Sequence, residues 1–493
     1  MKIETNYFNG QWNQFNSGEA WQRENPSRIS EVAFEAKEDI THVDLAVASA
    51  KKAFPSWKKI GFQNRQAYLE KLKNEFKKKE DQIARRISIE AGKPLWEAQG
   101  EARALVAKID IMSTEGAGMV KTVNPESLSG RYRFRPLGPV AILGPFNFPA
   151  HLLNGHIIPA LLHGNTLIVK PSEMTSGVMQ LYFECVHEAG FPPGVINLLH
   201  GSGKTGAALS VHPDIRGIFF TGSWKTGLAI RKATLEMPFK VLALEMGGKN
   251  TSIILPDANL EQAAHEIALA SYLTTGQRCS ATSRVVLHES VFDDFVDLFT
   301  TISRRITTGD ALESDSFMGP LINKAAYDNF IAAQSNTEQG VLKPLLKGGA
   351  TEDKSGYFVK PAVWLAGEVN PKGGHQAEEI FGPDVVLYRA SSDSEAVQIA
   401  NATDYGLAMS IFSDNRERFD DMADLLEAGI VNLNRSTCGA SSRLPFGGLK
   451  KSGNGMPSAL FAPFYCTYPQ AQLFEEAGWS DAKSNAGALS KLS

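Results

Sequence analysis

The sequence contains few cysteines: there are four among 493 residues, and no two of them form a C-x-x-C pair. This usage predicts free thiols in a reducing, cytoplasmic compartment and offers no pattern of zinc ligands. The ten histidines do not form an H-E-x-x-H motif. His151 and His156 are five residues apart, a spacing that does not place them on one helix face and favours roles in packing and capping. We therefore expect no metal site.

The chain also lacks a long apolar run, and its first residues do not combine a basic start with an apolar segment. We therefore expect neither a membrane-spanning helix nor a secretory signal. The formal net charge of −4 argues against a nucleic-acid partner. With 43% hydrophobic and 21% charged residues, the composition is typical of a soluble globular protein, and the length predicts two or three domains.

The order of apolar and polar segments predicts an α/β fold. Residues 43–89 are charged and carry apolar residues at helical spacing, which indicates helices. Between residues 139 and 246, short apolar runs alternate with helical stretches at 150–163, 174–190, 203–211 and 224–236. This alternation predicts a mostly parallel sheet, which binds nucleotides at the carboxyl ends of its strands.

Other segments predict a second block and a tail. An alternating segment from Gly130 predicts a hairpin-like excursion before the first buried strand. A second α/β block follows to about residue 446, with a helix opened by Pro256 and Asp257. The tail from Ser480 is small and polar, and we expect it to be poorly ordered.

The stretch "LLHGSGKTG", residues 198–206, combines parts of two phosphate-binding motifs. A P-loop requires G-x-x-x-x-G-K-[ST], but Leu198 occupies the position of the first glycine, so an NTPase is only a remote alternative. The stretch also contains G-x-G-x-x-G, which is weak evidence alone. A second junction, "FTGSWKTG", places Gly222 to Gly227 after the next strand. Two such junctions predict an edge that binds anions, although each could also be a tight turn.

Three polar side chains stand where chemistry is expected. Cys279 lies between Arg278 and Ser280, a poor context for core packing, and we expect the arginine to lower its pKa. Glu245 ends an apolar strand, where burial would raise its pKa toward that of a general base; alternatively, it caps the following turn. Asn147 follows another buried strand and could donate to an oxyanion, or form an Asx-turn.

Lys170 and Glu173 close the strand in "TLIVKPSEMT", and Pro171 and Ser172 mark a helix start with Glu173 in its first turn. A carboxylate at a strand end of a nucleotide-binding fold can bind ribose hydroxyls and would repel a 2′-phosphate. This placement therefore favours NAD over NADP. The alternative is a favourable negative charge at a helix start.

Seven blocks occur in order: "GPFNFP", "GNTLIVKPSE", "FTGS", "LEMGGKN", "GQRC", "EEIFGP" and "PFGGLKKSG". Together they resemble the aldehyde dehydrogenase superfamily over nearly the whole chain. The resemblance implies that Cys279 is the nucleophile, Glu245 the general base and Asn147 the oxyanion donor. It also implies a Rossmann-like cofactor domain, a second α/β catalytic domain and a small β bridging element, which usually joins a homodimer or a dimer of dimers.

The resemblance implies NAD as the cofactor and assigns residues to its parts. Lys170 and Glu173 would hold the adenosine ribose, and Glu379 and Phe381 of "EEIFGP" would position the nicotinamide ribose and ring. The pyrophosphate would lie against Gly222, Ser223, Trp224, Lys225, Thr226 and Gly227.

The implied domains follow the family pattern. Residues 1–117 and 137–247 would form the NAD-binding domain, and residues 248–448 the catalytic domain. Residues 118–136 and 449–493 would form the bridging element and the tail.

Three longer stretches, "FPAHLLNGHIIPALLHGN", "LALEMGGKN" and "PSALFAPFYCTYP", resemble a bacterial branch of this family. That branch oxidises N-succinyl-L-glutamate 5-semialdehyde to N-succinyl-L-glutamate in arginine breakdown. The chain departs from it at Gly455 and Met456, where the branch has His-Arg, and at Lys249, where it has Asn. The substrate would be an acidic aldehyde, and its carboxylates have four possible partners: Lys108, Arg278, Arg435 and Arg443. Of these we take Lys108 and Arg278 as the candidate site residues. Another acidic aldehyde remains the alternative substrate.

Overall fold

The apolar runs between residues 139 and 246 form a largely parallel sheet in the computed structural model, which describes residues 1–16, 18–313, 315–335 and 341–475. The described strands of this first sheet run in the order β10 (Val241–Glu245), β9 (Gly217–Thr221), β6 (Pro139–Leu143), β7 (Thr166–Lys170), β8 (Ile196–Leu198), β1 (Thr5–Phe8), β2 (Gln11–Gln14). The strands from β10 to β8 are parallel, whereas β1 and β2 are added antiparallel. The predicted parallel sheet is therefore confirmed.

A second sheet follows in the chain. Its described strands run in the order β13 (Leu342–Leu346), β16 (Ala362–Ala366), β17 (Asp384–Ala390), β12 (Thr282–His288), β11 (Asn250–Ile254), β19 (Ala408–Phe412), β20 (Ile430–Leu433). Its pairs are parallel except for β13 with β16. Each sheet is buried between apolar clusters, which explains why its strands read as short continuous apolar runs.

Small two-stranded sheets complete the described strands. They pair β3 (Glu19–Asn25) with β4 (Arg28–Glu38), β14 (Gly349–Ala350) with β15 (Val359–Lys360), β18 (Tyr405–Gly406) with β22 (Leu449–Lys450), β21 (Pro445–Phe446) with β23 (Ser458–Ala459), and β5 (Gly130–Pro136) with β24 (Thr467–Leu473). The excursion expected from Gly130 contains β5, and Tyr132 also forms an antiparallel bridge with Val123.

The described α-helices are α1 (His42–Lys59), α2 (Phe62–Ala91), α3 (Leu95–Thr114), α4 (His151–Leu162), α5 (Ser176–Ala189), α6 (Gly203–Val211), α7 (Trp224–Ala233), α8 (Leu260–Tyr272), α9 (Phe292–Arg304), α10 (Lys324–Ser335), α11 (Gly374–Ala377), α12 (Asp393–Asn401), α13 (Arg416–Ala423) and α14 (Ala462–Tyr465). The helices predicted between residues 43 and 89 and between the strands of the first sheet are confirmed. The tail from Ser480 lies outside the described residues.

Two predicted helix starts are wrong. Helix α8 does not open at Pro256 and Asp257, because the side chain of Asn259 accepts from Gln262 N and caps the helix three residues later. Helix α5 begins at Ser176, so Glu173 lies in the turn before the helix rather than in its first turn.

The register of the first sheet determines where the site forms. Leu143 pairs with both Lys170 and Phe220, and Thr221 pairs with Glu245. The strands β6, β7, β9 and β10 therefore end side by side, and the segments that follow them meet at one edge. No helix in the described part of the chain is long and apolar enough to cross a membrane.

Candidate active site

Cys279 follows a turn with an unusual backbone. Thr274, Thr275 and Gly276 all have positive φ angles, of 54°, 56° and 71°. Such a conformation is costly for threonine and persists only where the surroundings hold it. Glu97 of α3 supplies this support, since its carboxylate accepts from Thr274 N at 3.0 Å and from the Thr274 hydroxyl.

The guanidinium of Arg278 is bound to the same carboxylate. Its Nη2 lies 2.7 Å from Glu97 Oε1, and its Nε donates to Thr274 Oγ1 at 2.9 Å. It also stacks over the Phe148 ring at 4.9 Å from the centroid. Burial favours a raised pKa for Glu97, but Arg278 and Lys93 outweigh this effect and hold the pKa below its usual value. The ion pair thus supports the turn.

The expectation that Arg278 lowers the pKa of Cys279 is wrong. Burial raises the pKa of this thiol above its usual value, and the carboxylates of Glu379 and Glu245 raise it further. The charge of Arg278 is instead compensated by Glu97. Because the thiol keeps its proton at neutral pH, nucleophilic attack requires a nearby base.

Glu245 ends β10, as the sequence indicates, and is buried. Its Oε2 has no hydrogen-bond partner among the described residues. Burial raises the pKa of Glu245 well above its usual value, although hydrogen bonds from Ser458 oppose the shift. A carboxyl group with a raised pKa and a free oxygen has the properties of a general base.

One cavity of about 190 Å³ brings the candidate residues together. Cys279 and Arg278 line the cavity, and so does Glu245 at the end of β10. Helices α3 and α4 contribute Lys108 and the segment 151–156. The cavity therefore combines a thiol, a buried carboxyl group and two cations.

Asn147 does not line this cavity, but its side chain bonds to Gln277, two residues before Cys279 in the chain. The Asn147 amide donates to the Gln277 carbonyl at 2.9 Å, and its Oδ1 accepts from Phe148 N at 3.1 Å. The amide nitrogen carries two N–H groups, so one remains for an oxyanion formed near Cys279.

Both histidines of α4 lie at this site, which is compatible with the packing and capping roles expected from their spacing. His151 and His156 both line the cavity, because the cavity extends along the first turns of α4 and also touches Gly155. Burial, together with the charge of Lys108, lowers the pKa of each to about 3. The role of His156 in packing is confirmed, since it contacts Tyr465 at 2.8 Å.

A buried charged face of α3 was missed by the sequence analysis. Glu97, Glu101 and Lys108 follow the spacing i, i+4 and i+11, which places them on one side of a helix. All three are buried. Glu101 pairs with Lys93 at 2.6 Å and accepts from the first backbone N–H groups of α4, including that of His151 at 3.1 Å. Charged residues recurring at this spacing within an apolar helix were the available signal.

The two glycine junctions differ in what lies at their helix starts. At α6, Glu38 accepts from the backbone N–H groups of Ser202 at 2.9 Å and Thr205 at 3.2 Å. A carboxylate of the chain therefore already occupies this position. At α7, Ser223 caps Thr226, while the N–H groups of Trp224 and Lys225 have no acceptor among the described residues.

The junction at α7 also has little room for side chains. A Cβ at Gly222 would lie 2.5 Å from the Phe220 ring, and one at Gly227 would lie 2.4 Å from Met246 Sδ. The helix start thus exposes backbone N–H groups at the edge of the sheet, which is the chemistry that binds a pyrophosphate. The residues fit a dinucleotide cofactor here.

Lys170 and Glu173 lie at the end of β7, on the same edge. Their side chains form an ion pair at 3.4 Å. Lys170 is buried, whereas the Glu173 side chain is 39% exposed and can accept from a ligand.

Glu379 and Phe381 complete the predicted cofactor residues. Glu379 Oε1 accepts from Gly248 N at 2.8 Å, so this loop packs against the segment that follows Glu245. Burial raises the pKa of Glu379 to about 7. Phe381 has a φ of 53° and packs edge-on against Phe146.

The positions that depart from the bacterial branch lie outside the cavity of Cys279. Lys249 is buried and donates to the carbonyls of His375 at 2.9 Å and Glu378 at 2.6 Å, which ties down the segment before Glu379. Gly455 and Met456 line a second cavity of about 270 Å³, which shares Glu245 with the first. Among the described residues, no group of three His, Cys, Asp or Glu side chains could hold a metal ion.

Comparisons with known proteins point to one family. Residues 12–466 match the aldehyde dehydrogenase family. The N-succinylglutamate 5-semialdehyde dehydrogenase of Legionella pneumophila strain Corby is 37% identical over 474 residues, which cover 95% of this chain and 94% of the relative. The protein of the same name from Paraburkholderia xenovorans is 38% identical over 472 residues, covering 95% and 96%.

A solved structure also resembles the fold. The 1-pyrroline-5-carboxylate dehydrogenase from Thermus with bound NAD superimposes with a TM-score of 0.89 at 30% identity. The match covers 95% of this chain and 92% of the Thermus chain.

Proposed function

The chain belongs to the aldehyde dehydrogenase family, and from this premise we propose that it oxidises N-succinyl-L-glutamate 5-semialdehyde to N-succinyl-L-glutamate with NAD. The observation that carries the proposal is the single cavity shared by Cys279, Glu245 and a buried cation. A thiol and a base suit the oxidation of an aldehyde through an acyl-enzyme, and the cation suits an acidic substrate.

Cys279 is the proposed nucleophile. Its raised pKa requires a base to remove the proton, and Glu245, which lines the same cavity and has a raised pKa itself, can accept it. The thiolate sulfur then attacks the aldehyde carbon and forms a thiohemiacetal. The Asn147 amide and the backbone N–H of Cys279 stabilise the oxyanion.

A nicotinamide dinucleotide bound at the sheet edge would supply the acceptor for the hydride that the thiohemiacetal loses, which leaves the acyl group on Cys279 as a thioester. Glu245 releases the proton of Cys279 to solvent and then removes a proton from water. The water oxygen attacks the thioester carbon, the Cys279 sulfur leaves as a thiolate, and the carboxylic acid is released. The segment from Gly222 to Gly227 would hold the pyrophosphate through the free N–H groups of Trp224 and Lys225 at the start of α7. Glu379 and Phe381 would hold the nicotinamide end.

NAD is the proposed form of the cofactor. Glu173 stands half-exposed at the end of β7, beside Lys170. Its carboxylate would accept from ribose hydroxyls and repel the 2′-phosphate of NADP. The wild-type enzyme should have a higher kcat/KM for NAD than for NADP. Glu173→Gln should lower the ratio of these two kcat/KM values. An unchanged ratio in this variant would remove Glu173 from the proposal.

The proposed domains are the cofactor domain (1–117 and 137–247), the catalytic domain (248–448) and the bridging element with the tail (118–136 and 449–493). The β5–β24 pair leaves apolar side chains exposed, including Tyr468 and Leu473. A second copy of the chain would bury these side chains, so their exposure supports a homodimer or a dimer of dimers. The four free cysteines support a cytoplasmic location.

A substrate screen that follows NADH formation tests the proposed reaction. N-succinyl-L-glutamate 5-semialdehyde should give a much higher kcat/KM than aliphatic aldehydes. Equal values would overturn the proposed substrate, and a higher value for another acidic aldehyde would identify the alternative. The remote NTPase alternative loses support, because Glu38 fills the helix start of "HGSGKTG".

A further inference from the structure

We propose that Lys108 recognises a carboxylate of the substrate and thereby makes this site selective for acidic aldehydes. This inference rests on the proposed function. It identifies which of the two cations in the cavity binds the carboxylate of the substrate. It follows from the partners of the two cations, from their burial and from the groups that surround Lys108.

Lys108 is a buried cation without a partner. Only 3% of the residue is exposed, and its side chain lines the cavity that contains Cys279 and Glu245. Within the described parts of the chain, its Nζ has no ion pair and no hydrogen bond, and burial alone, with no nearby carboxylate, shifts its pKa. A buried ammonium group without a partner costs free energy, so its presence indicates a partner that arrives with a ligand.

Arg278 lines the same cavity but is already compensated. Its guanidinium forms an ion pair with Glu97 and a hydrogen bond with Thr274. A substrate carboxylate that approached Arg278 would compete with Glu97, and the turn before Cys279 would lose support. Lys108 can bind a carboxylate without breaking an existing contact.

The groups around Lys108 do not compete for its charge. His151 and His156 are neutral at physiological pH, because burial lowers the pKa of both. His151 Nδ1 is buried and has no partner among the described residues. The remaining neighbours on α4, Leu152 and Gly155, are apolar. In such surroundings, an ammonium–carboxylate contact is stronger than it is in water.

The test uses two aldehydes of equal length. Succinic semialdehyde carries a carboxylate at the end opposite the aldehyde, whereas butanal carries a methyl group there. N-succinyl-L-glutamate 5-semialdehyde is measured beside them, with NAD saturating. We expect Lys108→Met to lower kcat/KM for both acidic aldehydes by about 10- to 100-fold, mainly through KM, and to leave butanal within about twofold. Lys108→Arg should keep most of the preference, since it keeps the charge.

Two results would overturn the inference. In one, K108M retains the wild-type ratio of acidic to neutral aldehyde. In the other, kcat falls equally for all three aldehydes, which would indicate a role in proton transfer. A wild-type enzyme with no preference for the N-succinylated aldehyde would instead refute the proposed function, so the two failures are distinguishable.

Lys240→Met is the matched control for burial. Lys240 is also buried, and burial lowers its pKa to about 8, as it does for Lys108. However, its Nζ donates to the carbonyls of Ser210 at 2.9 Å and His212 at 2.6 Å, away from the cavity. K240M should lower the Tm and keep the substrate preference, whereas K108M should keep or raise the Tm and lose the preference. A Tm loss in K108M as large as that in K240M would assign Lys108 to folding and overturn the inference. If K108M does not fold, Lys108→Gln gives the same comparison.

Discussion

The cavity has two walls that treat their polar groups differently. The paired wall consists of Arg278 and Cys279, supported by Thr274 and Glu97 outside the cavity lining. The charge of Arg278 and the hydrogen bonds of Thr274 are matched by Glu97. The unpaired wall consists of Lys108, His151 and Glu245. On that wall, His151 Nδ1 and Glu245 Oε2 have no hydrogen-bond partner among the described residues. Lys108 likewise has no ion pair with any described residue.

The difference separates support from chemistry. Pairing on one wall holds a strained turn in place and would orient the proposed nucleophile. On the other wall, unmatched groups cost stability but remain available to substrate and water. Changes to the two walls should therefore have opposite effects on stability.

The largest expected effect is at the nucleophile. Cys279→Ala removes the sulfur that forms both covalent intermediates, so aldehyde oxidation should fall below detection. The paired wall does not depend on this sulfur, so the Tm and NAD binding should remain near those of the wild type. NADH formation, thermal unfolding and cofactor titration check these outcomes. Aldehyde oxidation by Cys279→Ser at the wild-type rate would refute the mechanism.

Glu245→Gln should lower kcat by about 10²- to 10⁴-fold, because the base that activates the hydrolytic water is lost. In the wild type, kcat should rise with pH as Glu245 loses its proton, with an apparent pKa well above the usual carboxyl value. This limb should disappear in the variant. Stopped-flow and steady-state measurements of NADH across pH check both outcomes. A variant that keeps the limb would assign the titration to another group.

Breaking the paired wall should cost stability. Glu97→Gln leaves Arg278 buried without its anion and weakens the support of the Thr274 turn. We expect a loss of about 3–5 kcal/mol in the free energy of unfolding, measured by denaturant titration. Lys108→Met, on the unpaired wall, is the contrasting variant and should show no loss. Equal losses in the two variants would erase the distinction between the walls.

A smaller effect on the unpaired wall depends on pH. The folded-state pKa of Glu245 is raised above its unfolded value, so this group contributes stability at low pH that is lost as pH rises through the folded pKa. Glu245→Gln lacks this titration. Its stability relative to the wild type should therefore increase above the unfolded pKa of 4.5, by at most about 1.4 kcal/mol per pH unit. Unfolding curves at several pH values check the slope, and a decreasing difference would contradict it.

The smallest effect is expected outside both walls. Lys204 is 74% exposed and pairs with Glu19 at 2.9 Å on the surface. Lys204→Ala should change stability by less than about 0.5 kcal/mol and leave kcat nearly unchanged, because exposed ion pairs contribute little. A large loss of activity would reopen the phosphate-binding interpretation of "HGSGKTG".

Much of the fold followed from local patterns. The alternation of apolar runs and helical stretches predicted the parallel sheet, and a polar residue at the end of a buried strand marked Glu245. The pKa of Cys279 could not be predicted in this way. Its neighbour Arg278 is adjacent in the chain, but the charge of Arg278 is compensated by Glu97, more than 180 residues earlier.

The sequence by itself determined the α/β class, the order of the strands along the chain and the family, because these depend on periodicity and on motifs of a few adjacent residues. It marked two glycine junctions, 201–206 and 222–227, with nearly equal strength. The family resemblance favoured the second junction, but only the tertiary structure gave the physical reason, since Glu38 packs against the start of α6 while the start of α7 stays open. It also distinguished the two cations of the cavity. Which charges are compensated depends on residues that are distant in the chain and adjacent in space.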